Sequence, residues 1–370
     1  MKSKIQRIAF YSKLITLNLC VALLLCEIVL RIFPTLLPES SQDNIMKFHP
    51  RLSVWYRPNL TTRYTGECFE STLSFNEMGL RSLPVPELLK KKEAWLFVGD
   101  SMTIGLQVDN RHLFTNLLQT YFNDIAIINI AKSGCGPIFY NKILQNFLIT
   151  ERIHPNVTKI FYFVYMGNDF DNLFEEEEDT KLKSFIKRYF YRVRTYHLLR
   201  IIYFQLRYRI MDLNKSLFQK DKVESDARPI TSKSINSPIN NEQQENLPFY
   251  AYHNQKSEQA RTILDTTLYN AKMMADMYRV ELIVVSLPSV KQVQAGKHHA
   301  LYTYPISLLE GISKKYNLRF YNIALKMITY KEQHHLAYPY FSFDCDGHFN
   351  TVGHEILSNL IRELIQRNEE

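Results

Sequence analysis

Four short stretches hold the residues able to carry out acyl-group chemistry. Gly99-Asp100-Ser101 places a hydroxyl directly behind the apolar run 95–98. A strand that turns sharply into a helix leaves such a serine at the sheet edge, with Oγ exposed and its backbone N–H facing a ligand. Residues 129–137, Asn-Ile-Ala-Lys-Ser-Gly-Cys-Gly-Pro, follow a second apolar run. A glycine there, Gly134, lets a backbone N–H come close to a substrate oxygen. Gly167-Asn168-Asp169 closes a third run, and the Asn168 amide is a donor suited to an oxyanion. Asp344-Cys345-Asp346-Gly347-His348 precedes Gly353-His354 and a helical pattern. A histidine led by carboxylates supplies a general base and the acid that orients it. The chain has only 11 glycines, and numbers 99, 105, 134, 136, 167, 347 and 353 fall in these four stretches.

Taken singly, each stretch has a plain alternative. Ser101 would serve as a helix cap, Asn168-Asp169 as an ordinary turn, and His348 or His354 as a structural histidine, which is the favoured reading for His354. Taken together they describe one reaction. His348 accepts the proton of Ser101, whose oxygen attacks an ester carbonyl. The oxyanion is held by the N–H groups of Ser101 and Gly134 and by Asn168. Loss of one such donor typically costs roughly 2.7–4 kcal/mol. Water then releases the acyl group, and a sugar hydroxyl in its place would make the same site an acyltransferase.

These residues need a scaffold that brings four distant stretches to one edge. Short apolar runs at 95–98, 126–130, 159–165, 281–286 and 318–321 alternate with helical patterns such as 112–122 and 257–278. That alternation predicts an α/β fold with a parallel sheet covered on both faces. Ligands in such folds bind beyond the carboxyl ends of the strands, where three of the four stretches fall.

The four stretches, in this order, resemble the signature blocks of the SGNH, or GDSL-like, hydrolases. The resemblance covers roughly residues 92–170 and 280–370. It implies a three-layer α/β/α domain, flavodoxin-like, around a central parallel sheet of about five strands. It also implies Ser101 as nucleophile, His348 as base, an oxyanion hole of Ser101, Gly134 and Asn168, and no cofactor. The family's usual acid lies three residues before the histidine; here that position is Cys345. Asp346 is preferred as the acid, with Asp344 as the alternative. More narrowly, the chain looks like bacterial membrane-anchored members. In these a short anchor ending in a Glu…Arg pair (Glu27, Arg31) and an Asn-x-x-Gly-x-Arg turn (Asn76, Gly79, Arg81) precede the catalytic domain. The turn at 75–81 also suggests a special backbone angle at Gly79.

The N-terminus sets the expected compartment. Lys2, Lys4, Arg7 and Lys13 precede an apolar stretch, 14–33, of spanning length. No small-residue cleavage site follows it, and Leu19 and Leu25, rather than small residues, precede Cys20 and Cys26. An uncleaved single-pass anchor is expected, with the charges keeping the N-terminus inside and the domain outside the inner membrane. The organisation expected is a cytoplasmic tip and anchor over 1–36, an extension over 37–90, and the catalytic domain over 91–370 with a large insertion at about 172–260. The insertion carries a basic, aromatic stretch at 181–211 and a polar stretch at 220–246. The basic stretch fits a lid, a contact with anionic lipid, a nucleic-acid surface or simply a solvated helix face.

A net charge of +8 over 370 residues is too modest to establish a nucleic-acid partner, and an exported domain rarely meets one. Five cysteines are too few for a disulfide scaffold. Cys135 and Cys345 neighbour two site segments, and a bridge between them would tie the two loops together in an oxidising compartment. His298-His299 and His334-His335 lack carboxylates at ligand spacing, so no metal is expected. The function expected is an envelope serine esterase acting on an O-acylated glycan or lipid. The alternatives are an acyltransferase and a non-catalytic glycan-binding or assembly protein.

Overall fold

The computed structural model describes residues 2–33, 45–175, 247–337 and 340–369, with Leu36 and scattered positions from 193 to 206. The acidic residues 176–179, most of the basic stretch 181–211 and the polar stretch 220–246 lie outside the described residues. Two compact units are distinguished: Met1–Phe48 with Thr180–Lys233, and His49–Asp179 with Ser234–Glu370.

In the first unit, α1 (Lys2–Ile32) runs through the basic start into the apolar stretch without a break. No glycine or proline occurs before Pro34 to interrupt it. Phe10–Ile32 supplies 23 residues long and apolar enough to cross a membrane; at 1.5 Å per residue that is about 35 Å, against a hydrocarbon core of about 30 Å. Glu27 and Arg31 pair at 2.8 Å across one helical turn, as their spacing predicts. The Glu27 carboxylate also accepts the backbone N–H of Thr195 at 2.8 Å and its hydroxyl at 3.0 Å.

The second unit begins with an extension containing the hairpin β1 (Thr61–Thr65) and β2 (Glu70–Ser74). The parallel sheet follows: β3 (Glu93–Val98), β4 (Ile125–Asn129), β5 (Val157–Tyr165), β6 (Glu281–Leu287) and β7 (Arg319–Tyr321), in spatial order β4-β3-β5-β6-β7. Each lies within two residues of an apolar run read from the sequence. The strands are continuously apolar because both faces are covered. The helices are α2 (Ser101–Ile104), α3 (Phe114–Tyr121), α4 (Pro137–Leu144), α5 (Asp169–Glu175), α6 (Gln255–Met277), α7 (Val290–Ala295), α8 (Ala300–Lys315), α9 (Ile323–Gln333) and α10 (Thr351–Glu369). On one face α3 packs with α10 and α10 with α9; on the other α4 packs with α6 and α6 with α8. Phe97 stacks on Phe161 at 4.6 Å in the middle of the sheet, and both are fully buried.

The sheet order decides where a ligand can sit. From β3 the chain steps first to β4 on one side and then returns to β5 on the other. The strand order therefore reverses at β3, and in open α/β sheets ligands bind at the carboxyl ends of the strands at such a point, here β4, β3 and β5.

Candidate active site

Ser101 opens α2, immediately after β3. The cap is Asp100, whose Oδ1 accepts the Met102 N–H at 2.9 Å. Its Oδ2 lies 3.3 Å from the Ser101 hydroxyl. Burial pushes the Asp100 carboxyl up to about 6, although the charge of His348 and the Met102 N–H both pull it down. So Asp100, not Ser101, caps the helix, and the serine hydroxyl, which donates to Asp100 Oδ2, is not used as a cap. The far end of α2 is held by Arg81, which is fully buried. Its guanidinium donates to the carbonyls of Ile104, Gly105 and Val108 and to Asn110 Oδ1. Desolvation lowers its pKa to about 9, so it stays charged at neutral pH. Arg81 reaches this position because Gly79, at φ +71°, turns the chain against the Tyr56 carbonyl, where a Cβ would collide at 2.4 Å.

The Gly134 loop follows β4, on one side of β3. Its Lys132 N–H bonds the Gly99 carbonyl at 3.0 Å, which fixes it beside the serine turn. The Ser133 N–H bonds the buried Tyr56 hydroxyl at 2.9 Å. Gly134 has φ +70°, and the space in front of its α-carbon is open. Asn168 follows β5, on the other side of β3. Its neighbour Asp169 is buried and accepts the Tyr140 hydroxyl at 2.9 Å and the Tyr165 N–H at 2.8 Å, which pins the turn. Among the described residues, the N–H groups of Ser101 and Gly134 and the Asn168 Nδ2 donate no hydrogen bond. Three unused donors from three adjacent strand ends are what a developing oxyanion requires.

His348 comes from the far end of the chain. A bridge between Ser342 and Phe349 closes a tight loop, tied again by the Phe343 N–H to the His348 carbonyl at 2.8 Å. Nε2 of His348 lies 2.9 Å from Ser101 Oγ. Nδ1 lies 3.2 Å from Asp346 Oδ2, close enough to pair but bent away from good hydrogen-bond alignment. Asp346 Oδ1 accepts the His348 backbone N–H at 3.0 Å, and Oδ2 faces the Gln107 amide at 3.4 Å. Burial raises the Asp346 carboxyl, but the hydrogen bonds and charge of His348 outweigh it and hold the group below the usual carboxylate range. Asp344 is exposed and makes no hydrogen bond or ion pair among the described residues. The structure thus brings Ser101, His348 and Asp346 together and leaves Asp344 out.

The suggested Cys135–Cys345 bridge is not formed. Cys345 is bonded to Cys68, with Cα atoms 6.0 Å apart, while Cys135 forms no disulfide, is buried, and directs its thiol to the Lys132 carbonyl. The β1–β2 hairpin reaches the histidine loop first, and Cys135 is turned into its own loop. No spacing rule ties residue 68 to residue 345, 277 positions away. Arg81 was legible only as part of a turn, and Gln107 carried no signal. Asp100 was readable as a cap from its place before a helix.

His354 lies under the site, not in it. It is buried and stacked on Phe114 at 5.9 Å. Burial, with the nearby Arg81 charge, lowers its pKa from 6.5 to about 3. A depressed folded pKa gives stability that is complete above the unfolded value and lost as pH falls toward the folded one. The window is therefore pH 6.5 down to about 3. His354→Phe, a stacking-compatible exchange, is expected to lose about 2 kcal/mol less than the native chain between pH 7 and 4.5. Urea midpoints at the two pH values measure this. The opposite slope from Asp100 is common to both proteins and cancels. Parallel losses in the two proteins would refute the buried neutral imidazole.

No protein-family model and no curated protein matches the chain. Among solved structures it is similar to a member of the lipolytic protein G-D-S-L family from Veillonella parvula, at 12% identity over 74% of this chain and 99% of that one, TM-score 0.39. It is similar to a lipase/acylhydrolase from Enterococcus faecalis at 14% identity, covering 74% and 96%, TM-score 0.37. It is also similar to TesA at 10% identity, covering 73% and 96%, TM-score 0.38.

Proposed function

We propose that the chain is a membrane-anchored serine esterase whose nucleophile is Ser101. The observation that carries this is the 2.9 Å contact between Ser101 Oγ and His348 Nε2, made between segments 247 residues apart. A helix-capping serine has no use for that partner. The chemistry follows from the geometry. His348 Nε2 takes the Oγ proton as the oxygen attacks an ester carbonyl, and Asp346 balances the imidazolium at Nδ1. The oxyanion accepts from Ser101 N–H, Gly134 N–H and Asn168 Nδ2. The imidazolium returns its proton to the departing alkoxide. Water, deprotonated in turn by His348, then attacks the acyl-enzyme and frees Ser101.

The compartment is read from two features. Lys2, Lys4, Arg7 and Lys13 precede the apolar helix, which favours an inside N-terminus. The Cys68–Cys345 bridge favours an oxidising space for the catalytic unit. An enzyme held at the outer face of an inner membrane meets acylated envelope glycans and lipids, and these are the substrates we assign to it.

The test is mass spectrometry of the full chain in detergent after treatment with a fluorophosphonate. The expected result is one phosphonyl adduct on Ser101, absent in Ser101→Ala and nearly absent in His348→Ala. A folded chain that takes no adduct, or takes it elsewhere, would overturn the assignment.

A further inference from the structure

The segment that precedes the sheet, from Tyr56 to Arg81, contacts three of the four stretches of the site. Tyr56 holds the Gly134 loop. Arg81 holds the exit of α2. Ser71 Oγ donates to the Leu106 carbonyl at 2.6 Å, and the Thr72 N–H donates to Asp109 Oδ1 at 2.7 Å, so β2 is fastened to the segment that leaves the nucleophile turn. The remaining contact is covalent, from Cys68 in the hairpin turn to Cys345, next to Asp346.

The loop around residues 343–348 depends on that contact. Its internal bonds, Phe343 N–H to the His348 carbonyl and Gly347 N–H to the Phe343 carbonyl at 2.9 Å, set its shape but not its position. Apart from the His348–Ser101 contact itself, three ties among the described residues join the tip to the rest of the unit. The Gln107–Asp346 hydrogen bond is long, at 3.4 Å. The Phe69–Phe343 ring contact is 5.5 Å between centroids. The third tie is the disulfide. Both cysteines are exposed, and the residues that anchor the loop in the core, Phe341, Ser342 and Phe349, lie at its base. Asp346 and His348 share the loop, where Asp346 Oδ1 accepts the His348 N–H at 3.0 Å, so the outside ties set where the pair sits against Ser101.

We infer that Cys68 is a positioning residue for the catalytic base: through Cys345 it holds the loop that carries Asp346 and His348 and so maintains the His348–Ser101 alignment. This rests on the serine-esterase reading of the same site. A displacement of about 1 Å in a catalytic group costs on the order of 100-fold in rate.

The experiment compares the full oxidised chain in detergent with Cys68→Ser, Cys345→Ser and the native chain reduced by a dithiol, each shown folded by near-ultraviolet circular dichroism. Two readouts are taken. The first is turnover of an activated ester: kcat is expected to fall about 10- to 100-fold with KM nearly unchanged. Reoxidation of the reduced chain restores it. The second needs no turnover. The ring resonances of His348, followed by NMR at one fixed pH, are expected to move and broaden in the three opened forms relative to the oxidised chain. A loss of activity with these resonances unmoved would mean the bridge only stabilises the fold, and the proposal fails. Unchanged kcat and ring resonances in the opened forms also overturn it. If the oxidised chain neither turns over esters nor takes the fluorophosphonate, the esterase reading fails by itself, and the NMR comparison still decides the role of Cys68.

Discussion

Ser101→Ala is expected to lower ester turnover by about four to six orders of magnitude, with KM changed little. The alanine removes the only atom that can form the acyl-enzyme, while the oxyanion donors and the substrate surface stay in place. His348→Ala is expected to cost about as much, because a serine without its base is not a nucleophile at neutral pH. The double variant should be no slower than either single one, since the two groups act as one unit. This non-additivity separates a shared catalytic step from two independent structural losses. The same series decides between the two carboxylates. Asp346→Ala is expected to cost about 100- to 10,000-fold, because its carboxylate is 3.2 Å from Nδ1. Asp344→Ala is expected to change turnover by less than about twofold, the ordinary result at an exposed, unpartnered surface position. Equal losses at the two aspartates would undo the assignment of the acid. The measurement is steady-state hydrolysis of a chromogenic ester by the full chain in detergent, with fluorophosphonate titration giving the active fraction.

The largest expected effect on stability is at Arg81. Its guanidinium satisfies three backbone carbonyls and the Asn110 side chain in a space closed to water. Methionine there would fill much of the volume but leave those acceptors without donors, each a loss of about 1–3 kcal/mol before relaxation. Some of the carbonyls will shift or admit water, so the net expectation for Arg81→Met is about 3–4 kcal/mol. Lysine should recover little. One ammonium cannot span the fork of directions from Ile104 to Asn110, and a buried point charge with unfilled donors is costly. Urea unfolding followed through the buried Trp55 and Trp95 measures the change. A loss below about 1 kcal/mol would show that the carbonyls find other partners. The effect should extend to function, because the carbonyls Arg81 holds end the turn that presents Ser101. A variant still folded in the absence of urea is expected to react more slowly with the fluorophosphonate.

The predicted pattern of five strands, their order along the chain and their apolar character were all legible without coordinates, because burial on both faces imposes a continuous apolar run on each strand. So were the chemical types at the strand ends. A serine, a glycine and an asparagine directly after β3, β4 and β5 could be placed at one edge from the strand assignment alone. The apolar length of α1 and the pairing of Glu27 with Arg31 were legible for the same reason: a helix repeats every 3.6 residues, and neighbours across one turn are set by spacing.

What spacing does not encode is contact between segments far apart in the chain. Asp344 and Asp346 are chemically identical and two residues apart. Only the fold of the tight loop from Ser342 to Phe349 turns one toward His348 and the other toward solvent. The partner of Cys345 was sought in Cys135, because both adjoin the site in sequence. The bond instead goes to Cys68, since the β1–β2 hairpin brings that turn to the histidine loop. Arg81 looked like part of a turn and proved to be the fastening of the helix that Ser101 opens, because its role depends on which carbonyls the tertiary structure leaves without partners. Local periodicity and residue chemistry therefore determined the elements and the candidate groups. The choice among like groups was left to tertiary structure, because it depends on direction and distance across the fold, which no single segment carries.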